Sequence, residues 1–205
     1  MDIFILALLW TAWCFLHSAM ISVSVTEYLK GRLGDSYRFY RLIYVIVTVV
    51  TLLPILIFSN SVQSPEVFSW NGSLIVLRML LVIASIGLFY AGAKHYDGLQ
   101  FIGIRQIREK ESRKGLTEAG GIDTTGILGV VRHPWYTGGI FIIWAARNLD
   151  LAALVVNVVL TAYILIGTVL EERKLVLEFG DDYKEYQKKV SMFLPAKWVR
   201  SRLNG

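Results

Sequence analysis

Several things are scarce in this chain, and each scarcity excludes something. Cysteine occurs once, as Cys14 within an apolar run, so an internal disulfide framework is excluded and the residue reads as a small buried packing group. The net charge of +5 is not gathered into one basic, aromatic-laced patch. The Lys and Arg residues fall instead in three segments between apolar runs, which argues against a nucleic-acid partner. Acidic residues are nearly absent from the first three apolar runs, whereas a transporter or channel should carry paired polar positions in several spans. No metal site, internal repeat or low-complexity linker is expected. The start Met1-Asp2 lacks a basic n-region, and the uncharged stretch 3–25 exceeds the roughly 7–15 residues of a signal-peptide core. It reads as a first membrane helix.

What the chain has in excess is hydrophobicity. Its 55% apolar content and mean hydropathy of +0.52 exceed the roughly 45–50% usual for soluble domains. The excess sits in runs that approach the ~20 residues needed to cross a bilayer: 3–25, 42–58 with Phe39 and Tyr40 extending it, 72–93 interrupted by Arg78, and 149–170 with Asp150 at its edge. A shorter run covers 135–146. The expected fold is all-α, a polytopic integral membrane protein with about five transmembrane helices and a C-terminal amphipathic helical segment. It reads as a single membrane-embedded domain over 1–205, with three spans in 1–93 and a binding loop, helix hairpin and cap in 94–195.

A helix over 134–146 covers only about 20 Å, whereas one over 149–170 covers about 33 Å. Joined at Arg147-Asn148, the two should form an antiparallel hairpin whose short arm begins below the membrane surface. Backbone there must be covered by protein or line a polar cavity. Basic residues number four in 26–41, seven in 94–136 and eight in 171–205, against none in 60–71. The positive-inside rule then places the N-terminus outside and the C-terminal tail in the cytoplasm; a bacterial inner membrane is expected rather than the endoplasmic reticulum. In the tail, Val176, Phe179, Tyr183, Tyr186, Val190 and Phe193 are spaced 3, 4, 3, 4, 3, an amphipathic stripe. Gly180-Asp181 predicts a bend between two short helices. The tail is either an interfacial helix on the lipid headgroups or a lid over a pocket.

The chemistry-bearing residues lie on the cytoplasmic side. Arg132-His133-Pro134-Trp135-Tyr136 opens the short helix, with Pro134 suited to its first position. Such a recessed helix start attracts a carboxylate or phosphate, and Arg132 adds a full charge; the alternative is that Arg132 and His133 anchor the helix among headgroups. Glu171 and Glu172 follow the long helix and reach the same face as His133. They either salt-bridge to Arg173 or Lys174 or accept hydrogen bonds from a ligand. Gly120-Gly121-Ile122-Asp123-Thr124-Thr125-Gly126-Ile127-Leu128-Gly129 is glycine-rich enough to let backbone approach a ligand closely, or is so for steric reasons alone. His17 in the first span is an intramembrane ionisable group, and so either a base or a helix-packing hydrogen bond. Arg78 either snorkels outward or pairs across helices. Asp97 and Arg105 either shape an acceptor side or form a solvated ion pair.

Taken together, RHPWY at 132–136, EERKL at 171–175 and FGDDYKEYQKKVSMFLP at 179–195 resemble the isoprenylcysteine carboxyl methyltransferase family over roughly 113–195. The N-terminal half resembles a narrower branch, the methanethiol S-methyltransferase and NnrU-like proteins. That likeness rests on Leu16-His17-Ser18, Tyr40-Arg41-Leu42-Ile43-Tyr44, and Tyr96-Asp97 with Phe101-Ile102-Gly103-Ile104-Arg105-Gln106. The resemblance implies S-adenosyl-L-methionine as cofactor, bound by Gly120, Gly121, Ile122, Asp123, Leu128, His133, Pro134, Trp135, Tyr136 and Glu171. Tyr136 or Trp144 could face its sulfonium by cation-π attraction. Catalytic candidates are His17 and Arg132. Family members on prenylcysteine carry an arginine one turn before the first Glu, where Gly167 stands here. A small apolar nucleophile such as a thiol is therefore the expected acceptor, with membrane lipids as the other partner. Prenylcysteine carboxyls, lipid amines and a non-catalytic NnrU-like accessory role are the alternatives.

Overall fold

The computed structural model describes residues 1–109 and 122–203. In chain order the elements begin with helices α1 (Asp2–Ile21) and α2 (Val23–Leu33), a 3-10 turn (Gly34–Phe39), α3 (Tyr40–Ser61), strand β1 (Glu66–Phe68) and α4 (Leu74–Ala93). There follow α5 (Gly98–Phe101), α6 (Ile104–Glu109), a 3-10 turn (Gly126–Gly129), α7 (Pro134–Ala145), β2 (Leu149–Asp150), α8 (Leu151–Phe179), α9 (Asp181–Lys189) and α10 (Ala196–Leu203). The described residues gather into two compact units. Residues 1–69, 98–109 and 149–163 form the first, and 70–97, 122–148 and 164–203 form the second.

Among the described residues, four stretches are long and apolar enough to cross a membrane: Asp2–Ile21, Val23–Ser61, Leu74–Ala93 and Leu151–Phe179. Large apolar side chains on them point outward, Phe4, Ile57 and Val76 being 74%, 71% and 63% exposed. Apolar exposure on this scale requires a hydrocarbon surround, and the chain is an α-helical membrane protein. The fifth expected span corresponds to α7, which at 12 residues rises only about 18 Å.

In the first unit Leu6 and Trp10 of α1, Ile55 of α3 and Ala152 of α8 form the buried core, with Leu9, Trp13, Leu52 and Val156 against it. Trp10 Nε1 donates to Ser59 Oγ (3.0 Å), which satisfies the one polar atom of a buried indole. The predicted continuous helix over 3–25 breaks at Ser22. Its backbone is extended (φ −63°, ψ 148°) and its hydroxyl caps α2 by accepting from Val25 N. A two-stranded antiparallel ribbon, outside the all-helical expectation, pairs Glu66 with Asp150 and Phe68 with Leu149. Beside it, Pro65 O and Ser64 Oγ accept from Leu151 N and Ala152 N (3.0 Å each), so orphan donors at the start of α8 are met.

The second unit is organised by α4 against α7. Gly138 allows the close approach, since a Cβ there would lie 3.2 Å from Ser85 O, and Ser85 Oγ donates to Gly138 O (2.8 Å). Arg78 does not snorkel outward. Its Nε and Nη2 donate to Ala145 O and Ala146 O (2.9 and 2.8 Å), so the guanidinium closes the negative end of α7. α8 runs unbroken through Glu171 and Glu172 to Phe179, so these acids lie within it rather than after it. The predicted bend falls at Gly180, whose φ of +61° ends α8 before α9 begins.

Candidate functional site

The start of α7 is held by a strand-like pairing that no local pattern announces. Arg132 N donates to Ser191 O (2.9 Å) and His133 N to Met192 O (3.1 Å), so the chain after α9 lies parallel to 131–133. His133 stands at the N-cap position without a side-chain capping bond and Pro134 takes the first helical position, as the sequence predicts. Thr137 Oγ1 donates to His133 O (3.0 Å) and sits within bonding distance of Phe193 O (3.2 Å).

Around this start lies a buried ionic cluster. The Arg132 guanidinium grips Glu172 in bidentate fashion, Nε to Oε1 at 2.6 Å and Nη2 to Oε2 at 2.9 Å. Its Nη1 donates to Gln187 O and to Val190 O. Glu172 also accepts from His133 Nε2 (3.1 Å), Tyr183 Oη (3.3 Å) and Gln187 Nε2 (3.0 Å). Arg132, His133 and Glu172 are 8%, 5% and 6% exposed, so the carboxylate is saturated and sealed. Burial, and then the Glu172 charge, push the Tyr183 hydroxyl above the usual phenol range. The sequence offered Arg173 and Lys174 as partners for these acids; the structure supplies Arg132 instead.

Glu171 has a different environment. Tyr136 Oη donates to its Oε2 (2.7 Å), and the Tyr136 ring, 37% exposed, stacks on His133 with centroids 5.4 Å apart. Burial, and then the Glu171 charge, raise the Tyr96 hydroxyl, and the Tyr96 ring meets that of Trp135 at 4.6 Å. Trp135 Nε1 donates to Phe89 O (3.1 Å). A Cβ on Gly92 would lie 2.5 Å from that nitrogen, so α4 and the start of α7 touch here. Tyr136 and Glu171 thus come together beside a positive helix end.

The loop before α7 is shaped by Asp123. Its Oδ1 accepts from Thr125 N (2.8 Å) and Thr125 Oγ1 (2.7 Å), and its Oδ2 pairs with His95 Nδ1 (2.6 Å). Burial pushes the Asp123 carboxyl up, but the Thr125 bonds and the contact with His95 outweigh it and hold the group below the ordinary aspartate range. Leu128 is buried and its carbonyl accepts from Tyr186 Oη (2.6 Å). Ile122 packs on the Tyr183, Tyr186 and Val190 cluster. Gly120 and Gly121 lie outside the described residues.

His17 belongs to the first unit. Its Nε2 bonds Tyr44 Oη (2.6 Å) and its Nδ1 bonds Tyr163 Oη (2.7 Å). It borders a shallow surface depression lined by Trp13, Leu16, Met20, Val47, Thr48 and Thr51. A Cβ at Gly167 would meet nothing within 4 Å, so tight helix packing does not explain that glycine. Sequence reasoning passed over His95 and named Tyr96 only as part of the family likeness. The signal was available, because His95 is one of three histidines in the chain and ends an apolar run.

A helical membrane protein whose histidine-proline helix start meets a glutamate pair carried inside a long helix is the class these features define. Residues 4–200 match the family described as NnrU protein, and the chain belongs to that family. Among curated proteins it is similar to methanethiol S-methyltransferase of Pseudomonas deceptionensis, 44% identical over 77 residues, 38% of this chain and 29% of that one. Methanethiol S-methyltransferase 2 of Bradyrhizobium diazoefficiens is 30% identical over 136 residues, 65% of this chain and 52% of that one. Protein-S-isoprenylcysteine O-methyltransferase of Schizosaccharomyces pombe is 39% identical over 77 residues, 35% of this chain and 32% of that one. The chain therefore spans at most about half the length of these relatives. No solved structure gives a significant match.

Proposed function

We propose that this protein is a membrane-embedded methyltransferase that moves a methyl group from S-adenosyl-L-methionine to a small apolar thiol. The observation that carries the reading is the meeting of Tyr136 and Glu171 at the start of α7, in a chain similar to two kinds of methyltransferase.

The residues present suit that cofactor. Glu171 keeps Oε1 without a hydrogen bond among the described residues, so it can accept from an ammonium or a ribose hydroxyl. The exposed Tyr136 face can meet a sulfonium by cation-π attraction. The positive end of α7 favours the methionine carboxylate. Gly120, Gly121, Ile122, Asp123, Leu128, His133, Pro134 and Trp135 complete the proposed binding segment. The cofactor, when bound, supplies an electrophilic methyl group; orientation and exclusion of water by the chain supply the acceleration. Gly167 leaves open space where prenylcysteine enzymes carry a carboxylate clamp, which favours a small thiol. We also place α7 as a fifth, partial span in a bacterial inner membrane, with the N-terminus outside and the tail in the cytoplasm.

The test is incubation of the purified protein in nanodiscs with methyl-labelled S-adenosyl-L-methionine and, separately, alkanethiols, a prenylcysteine and a phosphatidylethanolamine. Labelled thioether is expected from the thiols, and cofactor binding is expected to weaken about tenfold in Glu171→Gln. Wild-type protein that neither binds the cofactor nor labels any acceptor would instead fit a non-catalytic NnrU-like role.

A further inference from the structure

A thiol is a poor nucleophile until it loses its proton, because the thiolate is the reacting form. An alkanethiol at neutral pH is overwhelmingly protonated, so a thiol methyltransferase needs a proton acceptor. Glu171 is assigned to the cofactor, and both ring nitrogens of His17 are bonded, to Tyr44 and to Tyr163. Arg132 cannot deprotonate in a protein, and His133 Nε2 is committed to Glu172.

His95 and Asp123 supply what is missing. A carboxylate only accepts hydrogen bonds, so the 2.6 Å contact between Asp123 Oδ2 and His95 Nδ1 puts the imidazole hydrogen on Nδ1. Nε2 is left with its lone pair, and among the described residues no group hydrogen-bonds to it. Asp123 is itself fixed through Oδ1 by Thr125, so the ring is held by an anchored partner. The Nε2 edge faces Gly126, where a Cβ would come within 2.6 Å, and Gly126 sits at a φ of +52° that favours glycine. The pair is partly open, its side chains 16% and 18% exposed. It also adjoins the proposed site. His95 N donates to Gly92 O (2.9 Å), Gly92 abuts Trp135 and Pro134, and the ring of the next residue, Tyr96, meets that of Trp135 at a tilt of 57°.

Resting on the methyltransferase reading, we propose that His95 is the catalytic base, with Asp123 as the positioning residue that fixes its tautomer and stabilises the imidazolium it becomes. The S–H bond of the bound thiol breaks and its proton moves to His95 Nε2. The sulfur keeps the electron pair and uses it for the new bond to the methyl carbon, whose old bond to the donor sulfur breaks; the donor departs as a neutral thioether. The proton then leaves His95 for water, and nothing is oxidised or reduced.

Two measurements on the full-length protein in nanodiscs test this. The first does not depend on turnover. His95 should be carbethoxylated by diethyl pyrocarbonate, read by peptide mass spectrometry, and a saturating alkyl methyl sulfide, the product class, should suppress that labelling. Absence of labelling at His95, or labelling that the sulfide leaves untouched, would overturn the assignment. The second compares acceptors. His95→Gln should bind S-adenosyl-L-methionine within about twofold of wild type yet methylate an alkanethiol at least about a hundredfold more slowly, the usual contribution of a positioned base. An aryl thiol, ionised without help at neutral pH, should lose less than about fivefold, and added imidazole should restore turnover in His95→Ala. Equal losses on both thiols with cofactor binding intact would refute the base while leaving the methyltransferase reading standing. A wild-type protein that methylates neither thiol would refute that reading itself.

Discussion

Glu171 and Glu172 are neighbours in sequence with opposite duties. Glu172 is enclosed by Arg132, His133, Tyr183 and Gln187, whereas Glu171 accepts a hydrogen bond from the exposed Tyr136. Removing one partner of a buried ion pair strands the other charge, at a cost of about 3–5 kcal/mol. Glu172→Ala should therefore unfold at markedly lower temperature in a detergent melt, while Glu171→Gln should melt within a degree or two of wild type and lose cofactor affinity instead. A Glu172→Ala melt matching wild type would show that Arg132 finds another partner. Asp123 gives a pH counterpart. Its carboxyl is held below the ordinary aspartate range, so its contribution to stability is complete above the unfolded-state pKa of about 3.9. That contribution is lost as pH falls through the lower folded value. Wild type and Asp123→Asn should differ in melting temperature near neutrality and converge in acid. The types of these residues were legible in the sequence, but their pairings were not. Glu172 offered Arg173 and Lys174 as neighbours, yet adjacent helical residues point apart, and α9 with the chain just after it brings Gln187 O and Val190 O around Arg132.

At the scale of elements, run length carried most of the information. α3, α4 and α7 fall where the apolar runs placed them, because hydrocarbon demands continuous apolar surface and satisfied backbone. Two boundaries were hidden. The break at Ser22 is set by its hydroxyl, in an uncharged stretch that also carries Thr11, Ser18 and Ser24. The continuation of α8 past Glu171 keeps the helical hydrogen-bond series intact where composition turns polar. Gly167 lies inside α8 with open space at its Cβ position. Alanine there removes the helix-interior penalty of glycine, about 0.5–1 kcal/mol, so Gly167→Ala should raise the melting temperature slightly while methyl transfer to a small thiol continues. A fall in stability would mean that a neighbour occupies that space. Arg78→Met tests the opposite case, since it leaves the carbonyls of Ala145 and Ala146 without their donors and should lower the melting temperature at an expected cost of about 1–3 kcal/mol.

For the whole molecule, the basic residues make the sharpest statement, because a bilayer reads loop charge before tertiary structure forms. The 60–71 segment has no Lys or Arg, and residues 171–205 carry eight, so the first should face outward and the second the cytoplasm. Cys14 is buried, which makes Cys14→Ala a clean background for single reporter cysteines. Gln63 and Arg200 are both exposed and sit on the two sides of the proposed topology. In intact bacterial cells a membrane-impermeant maleimide should label Gln63→Cys and spare Arg200→Cys until the membrane is permeabilised. Labelling of Arg200→Cys in intact cells would invert the orientation and put Tyr136 and Glu171 on the outer face. S-adenosyl-L-methionine is made in the cytoplasm, so that single result would also deny the proposed site its methyl donor, whatever the geometry of the helix ends.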